Sequence, residues 1–450
     1  MAKNIEKYLL SLLVVVGGVV YFLFGYLYNR SDVLALFGCY TILFIVSYFL
    51  ISKYKENTKL LVALGIIFRL VFLFAIPNLS QDFYRFIWDG KLLLEGFNVY
   101  LFTPASFIDA GQYPIAQAQV LHDGMGPLSA GNHTNYPPIN QLCFLVASWF
   151  FRDSILGSVV VMRLMIILAD MGIVWFGIKL LKELNIATYR MFYYFLNPFI
   201  IIELTGNLHF EAVMLFSLVL SLYLIQKNRW QLAACMLAFS VSIKLLPLIF
   251  LPLFYKKLGL KSWVLFCVIV LGVVVVTFAP FFSMEFVYHY TDTVALWFRK
   301  FEFNASVYYI LRSIGYAFSG YNEIAIIGKV LSGTVLLFVL VSATLKRNVR
   351  TIGLMHTMLF VMAFYFFTTT TMHPWYLATP LVLSVFTNYK FTVVWSFTIF
   401  LSYFSYSTSI HQENTWLLLL EYSAVYAVFF YEVYREIVNN KKKLLNKLAK

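Results

Sequence analysis

The stretch YLLSLLVVVGGVVYFLFGYLY, residues 8–28, decides the fold class, because it is apolar and long enough to cross a lipid bilayer as a helix. Similar apolar runs recur along the chain as far as Tyr431. The 450 residues are 61% apolar, 19% aromatic and only 12% charged, whereas soluble domains carry about 25% charged residues. This composition excludes a soluble enzyme and predicts an all-α, polytopic transmembrane helical bundle.

Basic residues predict how the chain crosses the membrane. Lysines and arginines number 34 against 21 aspartates and glutamates, a net charge of +13, and their clusters fall in short connections that are expected to lie in the cytoplasm. We interpret this excess as a topology signal and expect no nucleic-acid partner. With both termini cytoplasmic, about 13 spans fit the pattern. Their expected bounds are 8–28, 33–52, 59–77, 156–181, 190–203, 210–226, a broken pair within 230–254, 261–281, 324–345, 351–369, 374–388, 391–408 and 415–434.

Two apolar segments do not fit as simple spans. Residues 139–151 are too short to cross a hydrocarbon core of about 30 Å, so we expect a helix on the outer membrane surface, started by Pro137 and Pro138. Residues 230–254 are interrupted by prolines, so we expect two half-helices that meet near Lys244 and border a cavity.

The longest polar stretches predict how the chain is divided. The two longest, 78–154 and 282–322, are both expected on the outer side of the membrane, so we expect the active site there. The predicted regions are an N-terminal three-span region (1–77), a first outer loop with juxtamembrane helices and a candidate catalytic acid (78–155), and a transmembrane helical region (156–450) with a second outer loop at 282–322.

The densest group of polar residues opens the first outer loop, SQDFYRFIWDG at residues 80–90. At helical spacing Asp82, Arg85 and Asp89 share one face, whereas Phe83 lies on an apolar face. This pattern predicts an amphipathic helix at the membrane interface with its acidic face toward water. A carboxylate there could act where a lipid-linked head group meets a water-soluble acceptor. The alternative is an ordinary solvated helix face with ion pairs.

Other ionisable residues at membrane depth are candidates, because charge in a membrane is costly and usually faces a cavity. Glu203, His209 and Glu211 fall at an outer turn between two predicted spans, where they could bind a divalent ion or a phosphate, or cap a helix. Lys244 is isolated in an apolar segment, which suits an anionic ligand, with snorkelling to the interface as the alternative. A complete set of metal ligands is not spelled out, so a metal site is unknown and a divalent cation, magnesium or manganese, stays open.

Five motifs occur in order between about Leu60 and Val382: Asp82-x-Tyr84-Arg85-x-x-Trp88-Asp89-Gly90, Gly96-x-Asn98-x-Tyr100, Tyr136-Pro137-Pro138-x-x-Gln141, Asn207-Leu208-His209-Phe210-Glu211 and His373-Pro374-Trp375-Tyr376. Each is weak alone, but their order resembles the polyprenol-phosphate-mannose-dependent mannosyltransferases of the glycosyltransferase-C (GT-C) superfamily. The resemblance implies a GT-C-type membrane fold, a lipid-phosphate sugar as donor, an essential acid in the first outer loop and transfer with inversion.

Carried over residue by residue, the resemblance makes Asp82 the catalytic general base. It associates Asp89, Arg85, Tyr136 and Gln141 with the second acid position or the acceptor. The candidates for binding the donor phosphate or sugar, where cations and His donors would stabilise a departing phosphate, are His209, Glu211, Lys244, Arg299, His373 and Tyr376. The chain has Tyr84 where a strict Asp-x-Asp pattern would place a second aspartate, and Glu211 where relatives often have aspartate.

Together these features predict an integral-membrane glycosyltransferase that moves a hexose, mannose by resemblance, from a polyprenyl-phosphate sugar to an acceptor glycan, glycolipid or protein. We expect a multi-pass protein of the inner (plasma) membrane with its active site on the periplasmic face. A lipid-linked sugar flippase or transporter and an oligosaccharide polymerase or ligase stay open as alternatives. Transporters usually show internal repeats, which this sequence does not.

Overall fold

The computed structural model describes residues 2–299, 301–407 and 412–448, with side chains described for 5–296, 301–407 and 412–442. Helix accounts for 79% of the described residues. The described residues contain an isolated parallel bridge between Phe303 and Thr371 but no β-strand. The predicted all-α class is therefore confirmed.

The α-helices follow one another through short connections and several tighter or looser helical turns. In chain order they are α1 Ala2–Tyr26, α2 Val33–Tyr54, α3 Thr58–Val71, α4 Asp82–Leu94, α5 Pro104–Asp109, α6 Ala118–Ala130, α7 Pro138–Phe150, α8 Ile155–Glu183, α9 Phe192–Phe195, α10 Pro198–Ile200, α11 Glu211–Gln226, α12 Trp230–Ile243, α13 Tyr255–Leu258, α14 Leu260–Phe278, α15 Met284–Arg299, α16 Val307–Ser319, α17 Ile324–Ala343, α18 Thr351–Thr368, α19 Ala378–Val385, α20 Phe391–Thr398 and α21 Thr415–Leu448. The 3-10 helices are Thr188–Met191, Leu246–Phe254, Ala279–Phe281, Lys346–Val349, Pro374–Leu377 and Ile399–Ser407, and Ile201–Gly206 forms a π-helix.

Membrane crossing is supported by helix length and composition. Within the described residues, seven helices are long and apolar enough to span, and a bent pair, Pro198–Gly206 with Glu211–Gln226, raises the number to eight. The seven are Ile5–Tyr26, Val33–Tyr54, Ile155–Glu183, Leu260–Phe281, Ile324–Ala343, Thr351–Thr368 and Thr415–Lys442. The chain is a multi-pass membrane protein, whereas the count of about 13 spans is not confirmed and stays a prediction.

Two local features predicted from proline positions are confirmed. Helix α7 begins at Pro138, where the missing backbone N–H of proline has no helical partner to lose. Helix α12 ends at Ile243, and Lys244 is extended before the 3-10 segment that starts at Leu246 and contains Pro247. Lys244 therefore stands at a break between two half-helices, as its surroundings in the sequence indicate.

The expected exposure of helix α4 is wrong. Its polar face was expected to meet water and its apolar face the membrane interface, yet Asp89 is only 1% exposed and Phe83 and Phe86 are buried within the protein. The reason is packing, since α4 lies against α6 and α7. At Gly90 the backbones of α4 and α7 approach so closely that a Cβ atom on this residue would lie 2.3 Å from the carbonyl oxygen of Phe144.

This close approach predicts that Gly90→Ala destabilises the protein. Overpacking of a tight contact costs about 1–3 kcal/mol in the free energy of unfolding, because the backbone of α7 cannot move aside cheaply. The measurement is reversible denaturation in detergent. Gly38→Ala is the matched control, because a Cβ there meets nothing within 4 Å and removing a helical glycine should be neutral or stabilising. Equal stability of the two variants would contradict the assigned packing.

Charged side chains inside the bundle fix the helices that carry the candidate site. Arg69 of α3 and Asp170 of α8 form an ion pair of 2.8 Å with both side chains 0% exposed, and the Tyr194 hydroxyl donates to Asp170 at 2.9 Å. Arg163 of α8 donates at 2.9 Å to the carbonyl oxygens of Thr205 and of the next residue, at the end of the π-helix. These contacts hold the turn that leads to His209.

Candidate active site

A cavity of about 600 Å³ lies beside the first turn of α4, where distant parts of the chain meet. Its wall comes from the turn after α1, the start of α4, the segment before α7, the break after α12 and the connection between α18 and α19. The predicted site residues in this wall are Asp82, Arg85, Tyr136, Lys244, His373 and Tyr376. The wall does not include Asp89, Gln141, His209 or Glu211, which lie behind it.

Asp82 is the carboxylate that begins α4 and faces this cavity. Its backbone N–H donates to the hydroxyl of Ser80 at 3.3 Å. The pKa of Asp82 is raised to about 6, chiefly by burial and also by the nearby carboxylate of Glu211, against the charges of Lys244 and Arg30, which lower it. A carboxyl group with a pKa near neutrality can take up a proton during a reaction and release it afterwards.

Lys244 brings a positive charge into the same cavity. The ammonium group pairs with the carboxylate of Glu211 and lies 4.5 Å from the centre of the Tyr376 ring, in a cation–π contact. The Lys244 side chain is 28% exposed, whereas that of Glu211 is 4% exposed. Since Glu211 begins α11, this pair joins the start of α11 to the break after α12 and leaves part of the cation open to the cavity.

Trp375 forms a rigid aromatic section of the wall. Its indole stacks with the imidazole of His209, with ring centres 3.9 Å apart, and with that of His373 at 4.6 Å. His209 is buried and its Nε2 atom lies 3.8 Å from the carboxylate of Glu203, which accepts a hydrogen bond of 2.7 Å from the Tyr403 hydroxyl. His373 borders the cavity, whereas His209 does not and contacts the wall residue Trp375 instead.

A hydrogen-bond network behind Asp82 connects the first turns of α4 to the segments packed against them. Arg85 Nε donates to Asp89 at 2.7 Å, and Gln141 Nε2 donates to the same carboxylate at 2.9 Å. Arg85 Nη1 also donates to the backbone carbonyl oxygens of Ser129 and Asn132 at 2.6 and 2.9 Å. Asp89 and Gln141 thus join α4 to α7, and Arg85 joins α4 to the end of α6 and the segment after it.

Comparison with known proteins bears on this arrangement. Residues 7–258, more than half of the chain, match the family described as "alpha-(1->6)-mannopyranosyltransferase, N-terminal domain". The chain belongs to this mannosyltransferase family. The predicted resemblance to GT-C mannosyltransferases of the membrane is thereby confirmed. The matched region contains Asp82, Glu211 and Lys244, whereas His373 and Tyr376 follow it.

A curated relative supports the same family. The alpha-(1->6)-mannopyranosyltransferase A of Corynebacterium glutamicum is 23% identical to this mannosyltransferase-family chain over 208 residues. The matched part is 45% of this chain and 40% of the relative. The chain therefore spans less than half the length of the curated relative that it matches.

Sequence reasoning overlooked one charged group of the mannosyltransferase-family site. Arg30 lies in the turn between α1 and α2 and borders the cavity, close to Tyr406. The sequence did contain a signal for Arg30. A basic residue between the first two spans falls on the predicted outer side of the membrane, where lysine and arginine are scarce. By contrast, the side chain of Arg299, a predicted donor ligand, lies outside the described residues.

The site residues do not form a ligand set for a divalent cation. In the part of the chain that the structure describes, no three His, Cys, Asp or Glu side chains are grouped so that they could hold a metal ion. Asp82 has Tyr84 rather than a second aspartate two residues on. No step of the mechanism below is therefore assigned to magnesium or manganese.

Proposed function

We propose that this protein is an inverting mannosyltransferase that moves mannose from polyprenyl-phosphate mannose onto an acceptor glycan, glycolipid or protein. We place the reaction at the periplasmic (extracytoplasmic) face of the inner (plasma) membrane, and the linkage formed is the α-(1→6) bond for which the family is named. The observation that carries the proposal is that a carboxylate, Asp82, and a cation, Lys244, border one cavity, with Lys244 at the break after the apolar helix α12.

The cavity wall suits an amphiphilic donor. The wall residues from the first outer loop include polar side chains such as Gln81 and Asn132, whereas Leu245, Leu246 and Ile249 come from the apolar segment after the break. A sugar phosphate needs hydrogen-bond donors and acceptors, while an isoprenoid chain needs apolar contact. Both requirements are met within one cavity of about 600 Å³.

Asp82 performs the proton transfer in the proposed reaction. The acceptor hydroxyl oxygen attacks C1 of mannose while its proton passes to the Asp82 carboxylate. The bond between C1 and the phosphate oxygen breaks, and its electron pair leaves with polyprenyl phosphate, so attack from the opposite side inverts the configuration at C1. Negative charge grows on the departing phosphate, and the ammonium group of Lys244 stabilises it in a site shielded from water.

Direct assay tests the proposed function. The purified protein in sealed proteoliposomes is incubated with polyprenyl-phosphate [¹⁴C]mannose and octyl α-mannoside, and the product is analysed by mass spectrometry and NMR. We expect a dimannoside whose new linkage has the opposite anomeric configuration to that of the donor. Movement of the labelled lipid across the bilayer without transfer would favour a flippase instead, and retention of the anomeric configuration would contradict the inverting mechanism.

The pKa of Asp82 predicts the pH dependence of the reaction. The group accepts a proton only as a carboxylate, so with a pKa raised to about 6 kcat/KM should stay constant above that pH and fall about tenfold per unit below it. An unperturbed aspartate would lose activity only near pH 4, since its pKa is about 3.9. The measurement is kcat/KM against pH, with thermal stability followed in parallel. A decline centred near pH 4 would contradict the raised pKa.

A further inference from the structure

Arg30 borders the same cavity as Asp82 and Lys244 but has no part in the reaction described above. It lies in the turn that joins α1 to α2, four residues after the end of α1. Its guanidinium carbon lies 4.1 Å from the centre of the Tyr406 ring, which also borders the cavity. The cavity therefore has a further cation besides Lys244 and Arg85, contributed by the turn between the first two helices.

The hydrogen-bonding capacity of Arg30 is unused within the described part of the chain. No described carboxylate lies within 4 Å of its guanidinium, and no described group accepts a hydrogen bond from it. The contact with the Tyr406 ring is a cation–π contact, which does not use the N–H donors of the guanidinium as hydrogen bonds would. Lys244 differs, because its ammonium group is already paired with Glu211.

The turn that carries Arg30 is tied to the segment that carries Asp82. The Asn78 side-chain amide donates to the carbonyl oxygens of Phe24 at 2.7 Å and Tyr28 at 2.6 Å. Asn78 precedes Asp82 by four residues, so these bonds fix the two segments relative to each other. The charge of Arg30 also lowers the pKa of Asp82 against the effect of burial, as expected for groups that face one cavity.

We propose that Arg30 binds the phosphate of the lipid-linked donor, and of the polyprenyl phosphate product, through the N–H groups in the plane of its guanidinium. The planar fork of a guanidinium matches two phosphate oxygens, which a lysine ammonium cannot do. Lys244 and Arg30 then share the phosphate charge, and Tyr406 holds the guanidinium in place. The inference rests on the proposed function, because that function supplies the lipid phosphate.

Binding of farnesyl phosphate to the full-length protein tests the role of Arg30. Titration in detergent compares the wild type with Arg30→Gln and Arg30→Lys, and farnesol serves as the ligand without phosphate. Arg30→Gln should weaken farnesyl phosphate binding about 10- to 100-fold, the range for loss of charge-assisted hydrogen bonds. Binding of farnesol should not change, and Arg30→Lys should recover only part of the loss.

The matched control is Arg152→Gln, because Arg152 follows α7, is 58% exposed and pairs with Glu95 away from the cavity. It should bind farnesyl phosphate as the wild type does. Wild-type binding by Arg30→Gln, or equal loss in both variants, would overturn the proposal. Equally strong competition by inorganic phosphate would indicate a site for free phosphate and would overturn the lipid assignment.

The binding assay also separates this inference from the proposed function. If farnesyl phosphate binding depends on Arg30 but no mannose is transferred, the phosphate site stands and the mannosyltransferase proposal fails. If mannose is transferred and Arg30→Gln changes neither binding nor the KM for the donor, the function stands and the role of Arg30 fails.

Discussion

Replacing Asp82 by Asn is expected to lower kcat for mannose transfer by about 10²- to 10⁴-fold, or roughly 3–5 kcal/mol in activation free energy. Asn keeps nearly the same shape but cannot accept the proton of the acceptor hydroxyl. Since Asp82 faces a cavity rather than packed side chains, the variant should fold. Removing a negative charge near the donor phosphate should leave farnesyl phosphate binding unchanged or tighter, so the loss should appear in kcat and not in donor KM.

Asp109→Asn is the control for this experiment. Asp109 ends α5, is exposed and does not border the cavity, so its replacement should leave kcat unchanged. Near-wild-type turnover by Asp82→Asn would remove Asp82 from the role of base. A fall in kcat accompanied by a clear loss of thermal stability would also contradict the assignment, because it would indicate a structural role.

Replacing Arg69 by Met is expected to lower the free energy of unfolding by about 3–5 kcal/mol. The change leaves the carboxylate of Asp170 buried without its cation, at a position that is 0% exposed. It also removes hydrogen bonds from Arg69 to the carbonyl oxygens of Gly65 at 3.0 Å and Phe195 at 2.8 Å. The measurement is denaturation of the purified protein in detergent, with activity assayed on the folded fraction.

A double variant tests why Arg69 matters. Arg69→Met with Asp170→Leu removes both charges, so a large part of the stability lost in the single variant should return. Lys227→Met is the comparison, because Lys227 pairs with Glu183 on the surface, where both side chains are 39% exposed, and should cause no measurable change. If the double variant were less stable than Arg69→Met, the penalty for the unpaired Asp170 would not be the cause.

Parts of the fold follow directly from local sequence. The start of α7 at Pro138 and the break at Lys244 are consequences of proline chemistry and of a charge in an apolar run, and both are present in the structure. The same reasoning overlooked Arg69 and Asp170, although each is an isolated charge within an apolar stretch. Their pairing across 101 positions of sequence requires knowledge of which helices are neighbours.

The candidate site was predictable as a set of residues and not as an arrangement. Asp82, Lys244 and His373 do border one cavity, but Asp89, from the same motif as Asp82, and His209 lie behind its wall. Helical spacing predicts which side chains share a face of a helix, but it does not predict which neighbouring element packs against that face. In this protein Gln141 of α7 covers Asp89, and Trp375 covers His209.

The sequence by itself determined that the chain is an all-helical membrane protein with an acid early in its longest polar stretch, because composition, apolar run length and proline positions act locally. The tertiary structure alone decided which of the few charges meet at the cavity and which neutralise one another inside the bundle. Burial and pairing depend on contacts between helices far apart in the chain. The pKa of Asp82 and the placement of Arg30 beside it both arise from those contacts.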